Sequence, residues 1–343
     1  MARVFSDRLH DVAVSVFHLL LMSSKTAYSP GPSPSPGPSP GASSTSGYFA
    51  GGVAPASTPT TVSTIEKFTY ATDTAGSTTT SIGVLSLARF GLSGFGNSTD
   101  GWYAGGSTVI SRIDRIIFAS DSSNAVAKGP LSVGRRSLAA SGTSADAWHA
   151  GGLSPGPTYS TVDRVIFASD TAAAVAKGAL TAAKYNGGFS GNTTDSWYQG
   201  GFQPATPNII ESTVDRVIFA SDTAAATTKG PLSLARYALN SYDDSSSYAW
   251  ASGGLAGSPA TVRSTVDKIT FSTDTAAAVA KGPLVVTTRN HTSVNNTTDA
   301  WLAGGITPAV VSTIQRSIFA TDTATLVAKG PMTKVTRDHA GSP

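Results

Sequence analysis

Six Gly-Gly pairs, at Gly51-Gly52, Gly105-Gly106, Gly151-Gly152, Gly200-Gly201, Gly253-Gly254 and Gly304-Gly305, divide the chain into units of about fifty residues, the repeat length of propeller blades. Every tryptophan (Trp102, Trp148, Trp197, Trp250, Trp301) stands three residues before such a pair, and Tyr48 holds that place in the first unit. Each pair is followed by a loop of variable length and then a β-branched run. One such run, STVDRVIFASDTAAA, is spelled identically at 160–174 and 212–226. A Ser/Thr-Asp-Thr turn closes it, a short segment ending in Lys-Gly-Pro-Leu or a variant follows, and a Gly/Ser-rich stretch leads to the next tryptophan. Four short strands per unit are expected, punctuated by turn residues. An aromatic recurs at the end of the third strand, at Tyr70, Phe118, Phe167, Phe219, Phe271 and Phe319.

That third strand selects the architecture. In Val162-Asp-Arg-Val-Ile-Phe167 apolar residues occupy both faces, the pattern of a strand covered on both sides. Twisted four-stranded sheets packed radially cover their inner strands this way. Repeated wording then reflects one interface solved six times. The composition agrees: 35 glycines and only 13% charged residues suit short strands and tight turns.

The layout resembles the kelch β-propeller family from Tyr48 to the C-terminus. The resemblance rests on the Gly-Gly after the second strand, the third-strand aromatic, and a basic residue opening the first strand (Arg89, Arg135, Lys184, Arg236, Arg289, Arg337). Where kelch repeats carry a fourth-strand tryptophan, Ala, Thr or Val stands here. The Ala/Ser/Thr-rich wording is also similar to repeats in bacteriophage virion proteins. The resemblance implies an all-β, six-bladed kelch-like propeller over residues 48–343. The last residues, Thr336 to Pro343, read as a lone first strand that completes blade 1 and removes two sheet edges.

Residues 29–47 include SPGPSPSPGPSPGASSTS, a polyproline-like spacer that cannot build a core. In residues 1–28, Phe5, Leu9, Val12, Val16 and Leu19 fall on one stripe if helical, with Ser6 as cap. This arm reads as a docking or self-associating helix; a signal peptide and a strand (Val12, Val14, Val16) are the competing readings.

No chemistry declares itself. Without cysteine, disulfides, thiolate metal sites and thiol nucleophiles are excluded, including the Cys-Tyr cofactor of the kelch-type oxidase. The five histidines lack metal-binding spacing, no cofactor is expected, and no Lys/Arg run marks a nucleic-acid partner. Glutamate is confined to Glu66 and Glu211 in the propeller, a poor start for paired-carboxylate hydrolysis. The Ser/Thr-Asp-Thr aspartates, and those of the Thr-Asp-x-Trp motif (Asp100, Asp195, Asp299, with Asp146 similar), read as turn-capping groups. Arg115, Arg164, Arg216 and Lys268 read as solvated or inter-blade pairs. The Asn-x-Ser/Thr matches at Asn97, Asn192, Asn290, Asn295 and Asn296 read mainly as turn asparagines.

Function is therefore sought where the units disagree, in the loops after Gly-Gly. Tyr159, Phe202, Gln203, Asn208 and Arg263 are the candidate binding residues. The expectation is a non-enzymatic virion appendage, present in several copies. Its arm would engage other virion proteins and its propeller a host-surface glycan or protein. The alternative is a secreted carbohydrate- or protein-binding module.

Overall fold

The computed structural model describes residues 45–55, 60–73, 79–120 and 124–343. Six antiparallel four-stranded sheets succeed one another along the chain and form the blades of a β-propeller. Blade 3 is typical, with strands Ala139–Gly142, Asp146–Ala150, Val162–Ile166 and Val175–Lys177 from first to fourth. Blades 2, 4, 5 and 6 occupy residues 93–127, 188–229, 240–280 and 292–328. Blade 1 is composite: Ser46–Ala50, Thr64–Thr69 and Thr80–Val84 receive Ala340–Ser342 as first strand, with Tyr48 opposite Ser342 and Ala50 opposite Ala340. The closing strand expected at the C-terminus is therefore present, and the edge of Ser46–Ala50 is covered.

Register explains the tryptophan position. Trp148 lies directly opposite Arg164 in the neighbouring strand, so both side chains rise from one face and the guanidinium sits 5.3 Å from the ring centre. The third-strand aromatic of the next blade covers the tryptophan by stacking. The third strand ends one residue earlier than the sequence suggests, and in blade 4 Phe219 opens a 3-10 turn that lays its ring 4.0 Å from Trp148. The stack recurs at all six blade junctions, Tyr48–Phe118 and Trp301–Tyr70 included, with ring centres 3.7–4.5 Å apart. Such pairs contribute about 0.5–1.5 kcal/mol each beyond the area they bury.

The turn aspartates do more than cap their own turns, which corrects the sequence reading. Asp170 of blade 3 accepts Trp102 Nε1–H (3.2 Å) and pairs with Arg115 and Lys128, all from blade 2. Asp274, Asp322 and Asp73 clasp their preceding blades in the same way. Asp222 holds Arg164 and Lys177 but leaves the Trp148 indole N–H without an acceptor. Arg115, Arg164, Arg216 and Lys268 are inter-blade cations, as expected. In the Thr-Asp-x-Trp motif the turn amides are capped by Asn97, Asn192 and Asn296. Asp100, Asp195 and Asp299 instead accept Arg115, Arg216 and Arg316. Reaching an arginine on the next strand gains a charge-assisted bond that a local amide cannot match.

Deeper in, four blades hold a fully buried ion pair: Arg89–Asp114, Arg135–Asp163, Lys184–Asp215 and Arg236–Asp267, at 2.7–3.0 Å. The basic residue's carbonyl accepts the second Gly N–H of the preceding blade, as in Gly106 N–H to Arg135 O at 3.0 Å. Both glycines are needed. Gly105 and Gly106 have φ of +69° and +121°, and a Cβ on Gly105 would stand 2.5 Å from that carbonyl.

Blades 6 and 1 depart from this scheme. Thr288 and Thr336 occupy the basic position, shown by the Gly254 and Gly305 N–H bonds to their carbonyls, and Gln315 and Glu66 replace the aspartate. Arg289 and Arg337, grouped by sequence with the buried basic residues, are each one position further on. In blade 1 the missing arginine leaves a cavity of about 10 Å³ lined by Phe49, Glu66, Met332, Thr336 and His339 among others. Thr336 Oγ1 and both His339 ring nitrogens lack partners there, and burial raises the Glu66 carboxyl above its usual range.

Candidate ligand-binding face

Six residues just before the first strands, Gly91, Ser137, Asn186, Ala238, Asn290 and Asp338, all have left-handed φ between +54° and +64°. Each donates its backbone N–H to the carbonyl of the residue one blade earlier: Ser137 to Gly91, Asn186 to Ser137, Ala238 to Asn186, Asn290 to Ala238, Asp338 to Asn290 and Gly91 to Asp338, at 2.7–3.1 Å. The six bonds close a ring around the propeller axis. Four of the six residues (Gly91, Asn186, Asn290 and Asp338) are of types that tolerate this conformation, while Ser137 and Ala238 adopt it at a cost of about 1–2 kcal/mol. Below the ring every residue of the innermost strands is buried. The innermost strands thus expose little to solvent, and the side chains accessible near the axis lie at its mouths.

One position outward from the ring stand Phe90, Arg136, Tyr185, Tyr237, Arg289 and Arg337. Each is tied to the residue that follows the Gly-Gly of its own blade, as in Arg136 with Leu153 and Tyr185 with Phe202, so this mouth lies on the face of the variable loops. Tyr185 and Tyr237 flank Phe202, with ring centres 5.6 and 5.1 Å away, and form an aromatic platform over Leu255, Ile210 and Val262. Burial raises the Tyr185 hydroxyl to about 12, so it stays a neutral donor. On the other arc Arg136 lies 5.9 Å from the Phe90 ring centre, and Arg337 pairs with Asp338 at 2.9 Å. Burial pushes the Asp338 carboxyl up to about 7, although the charges of Arg337, Arg289 and Arg136 and a hydrogen bond from Asn290 oppose the rise. Of these guanidinium groups Arg337 is the one paired with the buried axial carboxyl, while Arg289 and Arg136 hold the equivalent position in blades 6 and 3.

The sequence-derived candidates divide around this site. Phe202 belongs to it directly. Gln203 ends the same strand, Asp195–Gln203, and donates to Glu211 on the returning strand Ile209–Ile218. Arg263 adjoins Val262 of the platform cluster, half-buried with Nε unpartnered. Asn208 is exposed at the tip of the blade 4 loop, outside the platform. Tyr159 braces its own loop, donating its N–H to Gly152 O and placing its hydroxyl 3.2 Å from Ser154. The axial set Arg136, Tyr185, Tyr237, Arg289 and Arg337 was missed as a site. A signal existed: Arg289 is one residue closer to its tryptophan than Arg89, Arg135 or Lys184 are to theirs, so it cannot share their role. Phe5, Leu9, Val12, Val16 and Leu19 of the arm, and the spacer as far as residue 44, lie outside the described residues.

Among the described residues no group of three or more His, Asp or Glu side chains is arranged to hold a metal. His149, His291 and His339 are buried and held down to about 3 by burial, hence neutral. Neither a protein-family model nor a curated protein matches the sequence. The reading of function therefore rests on the geometry of the chain itself.

Proposed function

We propose that this chain is a non-enzymatic recognition propeller that seats its ligand on the loop face at the axial mouth. In the finer reading it is a kelch-like appendage of a phage particle, attached through residues 1–28 and turned toward the host surface. The observation that carries the binding role is that Arg136, Arg289 and Arg337 share one position around the mouth with Tyr185 and Tyr237, the tyrosines that flank Phe202. It lies on the face whose loops vary, and varied loops on a rigid scaffold are where binding residues concentrate. The repeats' similarity to virion proteins and the spacer behind the arm support the finer reading.

Two measurements test it. Phe202→Ala, Arg263→Ala and Arg289→Ala, each checked for an intact melting transition, should abolish attachment of the purified chain to susceptible cells in flow cytometry. Unchanged attachment overturns the assignment of the face. Mass spectrometry of the mature N-terminus addresses the setting. An intact Met1 or Ala2 supports the virion appendage, whereas cleavage near Ala27 replaces it with the secreted module.

A further inference from the structure

The charges of the propeller are unevenly placed. Most cations away from the loop face serve the blade junctions: Arg115, Lys128, Arg164, Lys177, Arg216 and Lys229 each meet an aspartate of the next blade. The loop face is different. Its segments carry Arg112, Arg136, Arg263, Arg289, Lys334 and Arg337, all exposed or half-exposed, against a single acid that is not buried, Glu211. Among the described residues none of Arg112, Arg136 and Arg263 forms an ion pair with a carboxylate, while Lys334 donates its backbone N–H to Glu66. The buried basic residues beneath are already neutralised by Asp114, Asp163, Asp215 and Asp267. Arg337 is paired with the buried Asp338, so the positive excess of this face rests chiefly on Arg112, Arg136 and Arg263, and such a field selects an oppositely charged ligand and speeds its arrival.

Spacing narrows the class. The cations are distributed around the mouth, one per blade in most blades, and hydroxyl-rich loops such as Ser154 to Ser160 and Ser258 to Thr265 lie between them. Guanidinium groups bind carboxylates and sulfates in a planar, two-point fashion. Phe202, half-exposed between two tyrosines, offers one aromatic platform, enough to seat a single ring face. A nucleic acid would ask for a continuous basic track with successive aromatic faces. Here the cations do not form a track, and Tyr185 and Tyr237 are buried.

We propose that the loop face binds an acidic polysaccharide, its carboxylate or sulfate groups held by Arg136, Arg263 and Arg289 and one sugar ring laid on Phe202. This rests on the reading of the loop face as the recognition surface. The probes are polygalacturonate, dextran sulfate, neutral dextran and a single-stranded oligonucleotide, each titrated with the full chain at several salt concentrations. At least one acidic polysaccharide should bind, more weakly as salt rises, and neutral dextran should not. Polygalacturonate binding best identifies a carboxylate ligand, and dextran sulfate binding best identifies a sulfate ligand. The combined variant Arg136→Gln, Arg263→Gln, Arg289→Gln should bind at least tenfold more weakly, with a shallower salt dependence. Lys128→Gln, on the blade junctions, should bind as the parent does. Tighter binding of neutral dextran or of the oligonucleotide, or unchanged affinity in the triple variant, overturns the acidic class. Cell attachment then separates the two levels. If Phe202→Ala loses attachment while the charge variant keeps it, the face stands and the acidic ligand falls. If both keep it, the face falls as well.

Discussion

Replacing Arg135 by Thr, Asp163 by Gln, and both together transfers to blade 3 the wording that blade 6 carries at Thr288 and Gln315. In the parent, Asp163 accepts Arg135 Nη1 at 2.8 Å, Ser132 N–H at 3.1 Å and Ser132 Oγ–H at 2.6 Å. Arg135 also donates to the carbonyls of Gly151, His149 and Val133. Both side chains are fully buried. Arg135→Thr alone leaves the carboxylate in place without its cation, and Asp163→Gln alone leaves the guanidinium without its anion. Breaking a buried pair from either side costs about 3–5 kcal/mol, chiefly through the uncompensated charge. Near the low end of sensitivity for a large domain, about 2 °C per kcal/mol, each single variant should melt roughly 6–10 °C lower. The double variant removes both charges. Blade 6 shows how the pieces then pair: Gln315 accepts Val286 N–H at 2.9 Å and returns its own N–H to Val286 O, and Thr288 Oγ1 reaches Gly304 O. The loss of arginine volume still leaves a void, so the double variant should sit about 2–3 kcal/mol below the parent. That loss is far smaller than the additive expectation of about 6–10 kcal/mol from the two single costs. Urea unfolding followed by the fluorescence of the buried tryptophans measures all four corners of the cycle. Additivity within about 0.5 kcal/mol, the behaviour of independent sites, would refute the claim that charge pairing, not volume, is what this position stores.

Three further outcomes follow from particular contacts. Trp197→Ala removes the stack on Phe271 and the bond to Asp274, and should cost about 3–5 kcal/mol by chemical denaturation, whereas Ile166→Ser on the exposed strand end should stay within about 0.5 kcal/mol. His339→Leu installs the residue that Leu92, Leu138 and Leu239 provide elsewhere and should stabilise the chain. Because the folded imidazole is held down to about 3 while the unfolded one titrates near 6.5, the parent loses stability as pH falls through that interval. The stability advantage of His339→Leu in urea unfolding should therefore widen from pH 6.5 to pH 4, by about 1.4 kcal/mol per pH unit, and a constant difference would contradict it. Removing residues 340–343 uncovers the edge of Ser46–Ala50 and should give a broadened transition and higher-order species on size exclusion; a sharp transition and a monodisperse peak would show that the strand does not close the ring.

What the sequence reveals and what it hides have a common physical origin. Gly-Gly and the tryptophan before it are legible because geometry forces them to recur. Both glycines need positive φ, and a tryptophan opposite a cation at five of the six junctions leaves little freedom in residue type or spacing. The closing strand is legible for the same reason, since a propeller unit that begins at its second strand must find a first strand elsewhere. The inter-blade role of Asp170, Asp274 and Asp322 is hidden, because an aspartate at a turn has good local amides to bond. Only the packing of the next blade reveals that Trp102, Trp197 and Trp250 compete for it. Arg289 and Arg337 are hidden by one residue of register, which separates a buried basic position from an axial one.

The axial mouth was masked by the repeat that builds it. Gly91, Ser137, Asn186, Ala238, Asn290 and Asp338 share one backbone conformation, fixed by a closed circuit of hydrogen bonds, so the main chain around the axis is nearly six-fold while the side chains are not. Once the backbone is held by its own bonds, the next residue outward is released from structural duty. It varies as Phe90, Arg136, Tyr185, Tyr237, Arg289 and Arg337. A six-fold decoration would present equivalent sites with no preferred orientation. The observed order puts the tyrosines of blades 4 and 5 on one arc and Arg289 and Arg337, of blades 6 and 1, on the next. With Arg136 of blade 3 on its other flank, the aromatic arc is bordered by guanidinium groups on both sides, so the mouth offers unlike positions and not six equivalent ones. Phe202 entered the sequence-derived set because its loop differs in length. Its partners Tyr185 and Tyr237 differ only in type, at a position where every blade has a residue, and that kind of difference acquires meaning only when the six blades are placed around one axis.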